Sequence, residues 1–242
     1  TGQVSDLKIQ TASQEPKATT KVMQGFNLNS TSVSPVDAFQ LEDPTTYNSS
    51  TSTNIYDSQG NAHVMTQYFV KAGSNTWDMK VLVDGRNPAT PEVGGGVGEL
   101  PLTYRIRFDS SGSIEQVSKP AIDASGNPVL DVDGNPTYDP VVPVGQITID
   151  PWNPALPDAS SASGWSLNGA NSDENGLILD IRGSTQYASA FAVNSVSQDG
   201  YTTGELAGLE ISETGAIFAR YTNGQSKVQG QIILANFANV QG

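Results

Sequence analysis

Cysteine is absent from this 242-residue sequence, and histidine occurs once, as His63. The first absence excludes disulfides, a thiol nucleophile and thiolate metal sites together. Lys and Arg number 12 against 25 Asp and Glu, a formal net charge of −13. Such a surface is a poor partner for nucleic acid, whose phosphates need clustered cations. No apolar run approaches the ~20 residues of a membrane-spanning helix. The opening residues TGQVSDLKIQ carry neither the basic start nor the apolar core of a signal peptide. Charged residues make up only 15% of the chain. The abundance of Ser, Thr, Asn, Gln and Gly matches the surfaces of many secreted bacterial β-proteins.

Helical spacing is scarce, and 14 Pro and 24 Gly punctuate the chain. Strand patterns recur instead, in HVMTQYFV (63–70), TWDMKVLVD (76–84), LTYRIRF (102–108), GQITID (145–150), GLILDIR (176–182) and KVQGQIILANF (227–237). In LTYRIRF, Leu102, Tyr104, Ile106 and Phe108 alternate with Thr103, Arg105 and Arg107. A period of two sends one row to a buried face and the other to water. Over 209–237, Glu213-Thr214-Gly215 and Asn223-Gly224 each separate two strand-like runs, which predicts a β-meander. The expected fold class is mainly β with little helix.

The unit D-x-x-G-N-P occurs twice in DASGNPVLDVDGNPTYD (123–139), and D-x-x-G recurs in YDSQGNAH (56–63) and FDSSGSIE (108–115). Calcium loops and tight turns both use Asp and Gly at short spacing. An EF-hand needs oxygens at positions 1, 3 and 5, Gly at 6 and Glu at 12. Counting from Asp131 gives Asp133 and Asn135, then Pro136 and Val142, so both diagnostic positions fail. An Asp that bonds backbone N–H groups ahead of a positive-φ Gly explains the unit as turn chemistry.

Patterns that carry catalysis are missing. No G-x-S-x-G, H-E-x-x-H, P-loop or G-x-G-x-x-G is present, and VGGGVG (93–98) reads as a loop, with neither a phosphate-binding Lys nor a helix after it. His63 is expected at a surface or strand edge. From Pro120 to Ile181 there are nine acidic residues and no Lys or Arg, which reads as a solvated acidic face. A carboxylate pair for glycoside hydrolysis would need a separation that sequence does not supply. Trp152 and Trp165 are expected to pack a core, with a sugar-stacking platform as the other reading. The triplets NST (29–31) and NSS (48–50) match glycosylation acceptors by chance. No catalytic residue, cofactor site or metal site is assigned, and the chain is expected not to be an enzyme.

The run YDSQGNAHVMTQYFVKAGSNTWDMKV (56–81) resembles the start of the outer domain of bacterial flagellar hook proteins. DGYTTGELAGLEISETGAIFARYTNGQSKVQGQIILANFANVQG (199–242) is similar to their segment returning through the next domain inward, and FNLNST (26–31) after PKATTKV (16–22) fits the same order. The middle, about 86–175, matches more weakly. The resemblance implies a structural subunit of the hook, the curved tube that serves as a universal joint between motor and filament. It implies export through the flagellar type III apparatus and an extracellular place in the flagellum. Partners would be neighbouring copies in a helical tube, with hook-cap, rod and hook–filament junction proteins at its ends.

On the family pattern, residues 1–15 and 193–242 form part of a smaller middle β domain, and residues 16–192 form an outer β domain inserted into it. The terminal helices that line the family's inner tube have no counterpart here, so the chain is expected to be a truncated piece that stays monomeric by itself. Subunit contacts are expected on the polar loops 85–99 and 120–143. A surface adhesin or carbohydrate-binding module is the alternative, and a secreted glycosidase the enzymatic one. Neither accounts for both flanks following the hook order.

Overall fold

The computed structural model describes residues 12–93, 100–124, 127–171 and 176–232. Among them run sixteen strands and one short 3-10 turn, Pro44–Thr46. The strands are β1 (Lys21–Asn29), β2 (Ser49–Tyr56), β3 (Ala62–Gly73), β4 (Thr76–Val83), β5 (Leu102–Phe108), β6 (Ile114–Pro120), β7 (Tyr138–Pro140) and β8 (Gln146–Ile149). They continue as β9 (Ala155–Pro157), β10 (Trp165–Leu167), β11 (Leu177–Asp180), β12 (Thr185–Tyr187), β13 (Ala192–Gln198), β14 (Leu206–Ile211), β15 (Ala216–Tyr221) and β16 (Ser226–Gln231). The fold is mainly β, and the chain divides into two compact units, Lys17–Gly200 and the discontinuous pair Thr1–Pro16 with Tyr201–Gly242.

In the larger unit β2 to β7 form a six-stranded antiparallel sheet in sequence order, each strand pairing with the next. The second sheet runs β12-β1-β11-β8, with β13 also on β1. Here the pairings are non-local: β1 lies parallel to β11 and β12 and antiparallel to β13. The side-chain rows that face inward from both sheets make one core. The six-stranded sheet supplies Ile55, Met65, Phe69, Trp77, Met79 and Ile106, and the other supplies Val22, Phe26, Leu28, Ile147, Ile149 and Leu179. Phe26 and Phe69 join the two, with ring centroids 4.6 Å apart and planes tilted by 53°. Each such ring buried in full contributes roughly 1.5–3 kcal/mol over exposure. The Trp77 indole N–H, too polar to bury unpaired, donates to Gln186 Oε1 at 2.6 Å and so ties β4 to β12.

The alternation in LTYRIRF is realised: Tyr104, Ile106 and Phe108 are buried, while Arg107 is exposed. The outer face of the sheet is not bare, however. The segment between β1 and β2 lays Phe39 against Tyr68 (5.2 Å) and Tyr47 (6.1 Å), and Leu82, opposite Thr66 in the sheet, is fully buried. In the smaller unit β14, β15 and β16 form the expected meander, turning at Gly215 and Gly224, both with positive φ. Residues 233–237 of the last predicted strand lie outside the described residues.

The larger compact unit ends at Gly200. Strand β13 pairs with β1 over Val22↔Gln198 to Asn27↔Ala192, so its backbone bonds build it into the larger unit. Directly after it, Asp199 accepts from Lys17 Nζ (2.6 Å), the Thr20 hydroxyl (2.5 Å) and the backbone N–H groups of Thr20 and Lys21 (2.9 Å each). One carboxylate thereby fastens the exit strand of this unit to its entry strand.

Candidate interaction surface

The D-x-x-G unit folds as a turn wherever it occurs in the described residues. Asp131 Oδ1 accepts from the N–H groups of Asp133 and Asn135, both at 2.9 Å. Asp109 Oδ1 accepts from Ser111 and Ser113 at 2.7 and 3.0 Å, and Asp57 Oδ1 from Gln59 and Asn61, both at 2.9 Å. Gly60, Gly112 and Gly134 take φ of 84°, 83° and 82°. One oxygen of each of these carboxylates is committed to backbone donors. Such bonds favour the anion: the Ser111 hydroxyl first and then the backbone donors hold the Asp109 carboxyl below its ordinary range, and the backbone donors, Asn135 foremost, do so for Asp131. For Asp57 burial is the largest single influence and raises the value, but donors from Asn61, Asn168 and His63 together outweigh it and leave it lowered.

Between β6 and β7 the described residues 121–124 and 127–137 form an exposed segment, the knob, which carries the second copy of the unit in full. Ala121 N–H donates to Thr137 O (2.9 Å), Thr137 N–H to Val129 O (2.8 Å), and Val129 N–H to Ala121 O (2.9 Å). Three residues at an eight-residue interval thus close a ring of backbone hydrogen bonds. Bridges Ile122↔Pro128 and Leu130↔Pro136 stiffen each copy. The side chains of Ile122, Leu130 and Val132 are exposed on it, Val132 completely. Acidic Asp123, Asp131 and Asp133 stand among them.

The base of the knob is anchored to the sheet. β7 pairs with β6 through Ser118↔Pro140 and Pro120↔Tyr138. The Arg105 guanidinium lies 4.1 Å from the Tyr138 ring centroid and donates from Nε and Nη2 to the two oxygens of Asp78 at 2.8 and 3.0 Å. The planar fork fits the carboxylate and the ring at once, which a lysine could not do. A second exposed segment, 30–38, leaves Val33 and Val36 in solvent. It is secured by Lys71 Nζ donating to Ser30 O and by Asn48 Nδ2 donating to Val33 O (2.8 Å).

Other residues singled out by sequence lie elsewhere. His63 is not at the surface: its ring is 1% exposed and sits between Asp57 and Asp84. Its row on β3, shared with Met65, Gln67 and Phe69, faces the core. Trp152 is buried, as core packing required, and Trp165 is half-buried beneath the Arg86 guanidinium at 4.9 Å. A sugar-stacking platform loses both its rings. Both amide ends of Asn48 are engaged, the oxygen by Lys71 N–H at 2.8 Å. Of VGGGVG only Val93 is described, so residues 94–98 and most of the contact expected on loop 85–99 lie outside the described residues. No group of three or more His, Asp or Glu side chains that could hold a metal occurs among the described residues. None of their helices is long and apolar enough to cross a membrane.

Sequence reading located the repeat but not the ring, because ring closure depends on backbone positions eight residues apart meeting in space. It also missed the Arg105–Tyr138 anchor, which joins strands that are not consecutive.

Comparison with known proteins supplies the family. Residues 27–201 match the flagellar basal body protein FlaE D2 domain. The flagellar hook protein FlgE of Salmonella typhimurium is 30% identical over 227 residues, which cover 93% of this chain and 44% of that protein. The FlgE of Escherichia coli is 27% identical over 239 residues, 98% of this chain and 47% of that protein. The FlgE of Treponema pallidum is 29% identical over 210 residues, 79% and 39% respectively. The crystal structure of the Helicobacter pylori flagellar hook protein FlgE2 aligns over 80% of this chain and 34% of its own, with a TM-score of 0.45 at 17% identity. The chain spans a little under half the length of the first two relatives, and with a FlaE D2 domain across most of its larger unit it belongs to the flagellar hook protein family.

Proposed function

We propose that this chain is a β-rich portion of a structural subunit of the bacterial flagellar hook, working outside the cell as part of the tube that joins motor to filament. The FlaE D2 match across 27–201 carries this reading. Its role is mechanical: the subunit presents surfaces to neighbouring copies and catalyses nothing. The larger unit forms the outer domain, and the discontinuous unit contributes to the middle domain. Cap, rod and junction proteins are partners at the ends of the tube by family resemblance. An absence of cysteine suits a chain exported unfolded through a narrow channel.

The knob at 121–137 and the loop after β4 meet neighbouring subunits in this proposal. A bent rotating tube needs contacts that slide, and polar contacts bridged by water rearrange at lower cost than large dry apolar ones. The knob offers apolar tips among carboxylates on a backbone tied by its own hydrogen bonds. Antibody raised against the chain should place gold on the short curved segment at the filament base in electron micrographs of the source bacterium. Label over the cell body with bare hooks would overturn the assignment. For the contact itself, Val132→Cys in the full-length subunit places a thiol in a stretch that has none. Bulky maleimide should label free subunits and spare assembled hooks; equal labelling of both would remove the knob from the interface while leaving the hook assignment intact.

A further inference from the structure

His63 opens the inward row of β3, yet none of the surface described above uses it. Its Nδ1 lies 2.7 Å from Asp84 Oδ2 and its Nε2 lies 3.4 Å from Asp57 Oδ2. Both neighbours are carboxylate oxygens. A neutral imidazole carries one N–H and would turn a lone pair toward one of them, whereas the imidazolium donates to both.

Each carboxylate is held in place independently of the ring. Asp57 is fully buried and also accepts from Asn61 Nδ2 and Asn168 Nδ2, both at 2.8 Å. Asp84 accepts from Val64 N–H at 2.8 Å, and its own N–H donates to Val64 O at 2.8 Å. On its remaining side the ring meets Trp152 edge-on, with centroids 5.7 Å apart. A small, partly open void of about 10 Å³ lies beside the ring, lined among others by Asp84, Trp152, Asn153, Ala155 and Trp165. Three pieces of chain therefore converge on one imidazole: the β2–β3 turn, the turn after β4, and the stretch 152–168.

The charged groups around it are few. The turns supply Asp57 and Asp84. Arg86, on the same turn as Asp84, directs its guanidinium to Pro91 O (2.7 Å) and Ser163 O (2.8 Å). From 152–168 the facing residues are the neutral Trp152, Asn153, Ala155, Trp165 and Asn168.

We propose that His63 is a proton-operated latch: as the imidazolium it fastens the 152–168 segment and the Asp57 turn to the six-stranded sheet, and on losing its proton it lets that segment loosen. Asn168 and His63 share the same Asp57 oxygen, so discharge of the ring disturbs the bond that holds Asn168. A second attachment, Ser58 N–H to Asn171 O at 3.0 Å, follows directly. Burial, the largest single influence, opposes the charge, but the hydrogen bonds and charges of Asp84 and Asp57 outweigh it and raise the imidazole above its ordinary value. A raised folded-state value gives stabilisation that is complete below the ordinary imidazole pKa of ~6.5 and is lost as pH climbs through the folded one. The latch holds below the ordinary imidazole range and releases as pH rises through the higher folded-state value.

The single histidine makes the test direct. The imidazole proton resonance of the whole 242-residue chain is followed by NMR from acid to alkaline pH, alongside amide hydrogen exchange expressed as protection factors. The ring should titrate above a free imidazole. Protection within 152–168 should fall several-fold across the same midpoint, while β3 to β5 keep theirs. In His63→Gln the same segment should be weakly protected at every pH, without a step. Titration at or below the free value would make His63 an ordinary neutral core histidine. A high midpoint with unchanged protection in 152–168 would remove the latch. Both outcomes are read on the unaltered chain, so a variant that fails to fold leaves the proposal open to refutation.

Discussion

Two glycines in the same repeated unit should respond very differently to one added methyl group. Gly112 and Gly134 take nearly identical φ, 83° and 82°. Each follows an Asp that gathers the same backbone donors. Alanine at either position must adopt a left-handed backbone, at about 1–2 kcal/mol. At Gly134 nothing lies within 4 Å of the added carbon, so the cost ends there. At Gly112 the same carbon would stand 2.5 Å from Gln186 O and 2.8 Å from a Tyr187 ring carbon. That strand cannot retreat freely, because Gln186 N–H donates to Gly112 O at 2.9 Å and Gln186 also holds the buried Trp77 indole. Overpacking of this kind adds roughly 1–3 kcal/mol. Gly134→Ala should therefore lose about 1–2 kcal/mol and Gly112→Ala about 2–5, read from urea unfolding of the two variants against the parent. Equal losses would refute the claim that the 109–113 turn is a packing joint against β12 as well as a turn.

Two further outcomes follow from charged groups. Arg105→Lys keeps the charge but loses the two-pronged bond to Asp78 and the stacking on Tyr138. Arg105 is a third exposed, so the stability loss should stay near ~1 kcal/mol. Limited proteolysis within 121–140 should nonetheless quicken, and an unchanged cleavage rate would show that the knob needs no anchor. Acid should destabilise the larger unit through Asp180 and Asp199. The first is held far below the ordinary carboxylate range chiefly by Arg182; the second is raised by burial but pulled further down by Lys17, Thr20 and Lys21. Depressed folded-state values give stabilisation that is present above about pH 4 and lost as pH falls toward them. Asp199→Asn should flatten the acid limb of a plot of unfolding midpoint against pH; an unaltered slope would refute the clamp.

Strands and turns were legible because both are local. Period-two alternation marks β5 without ambiguity, and each D-x-x-G predicts a turn whose donors and acceptor lie within five residues. β3 is where alternation misleads. Its outward row, Val64, Thr66, Tyr68 and Val70, looks at least as apolar as the inward row of His63, Met65, Gln67 and Phe69. The reason is the cover on the outer face, where Phe39 packs on Tyr68 and Leu82 is buried, so both faces of the strand favour apolar groups. His63 consequently looked like a surface residue. Similarly β13, with the polar sequence AVNSVSQ, gives no sign that its partner is β1. Information of that kind resides in the register between distant segments, which composition and spacing do not record.

The same division between local and non-local bonding explains why the knob can carry a variable surface. The sandwich is held by rings and aliphatic side chains that touch across two sheets, and a change at Phe26 or Phe69 is felt on both. The knob is held by backbone hydrogen bonds, by Asp side chains that bond their own turn, and by one arginine at its base. Its exposed tips at Ile122, Leu130 and Val132 lie outside the inter-sheet core, so substituting them leaves the fold's free energy nearly unchanged. A surface built in this way can be altered to fit a different neighbour without refolding the domain beneath it. If the knob is the subunit contact proposed above, that separation of scaffold from contact is the physical condition that lets the two change independently.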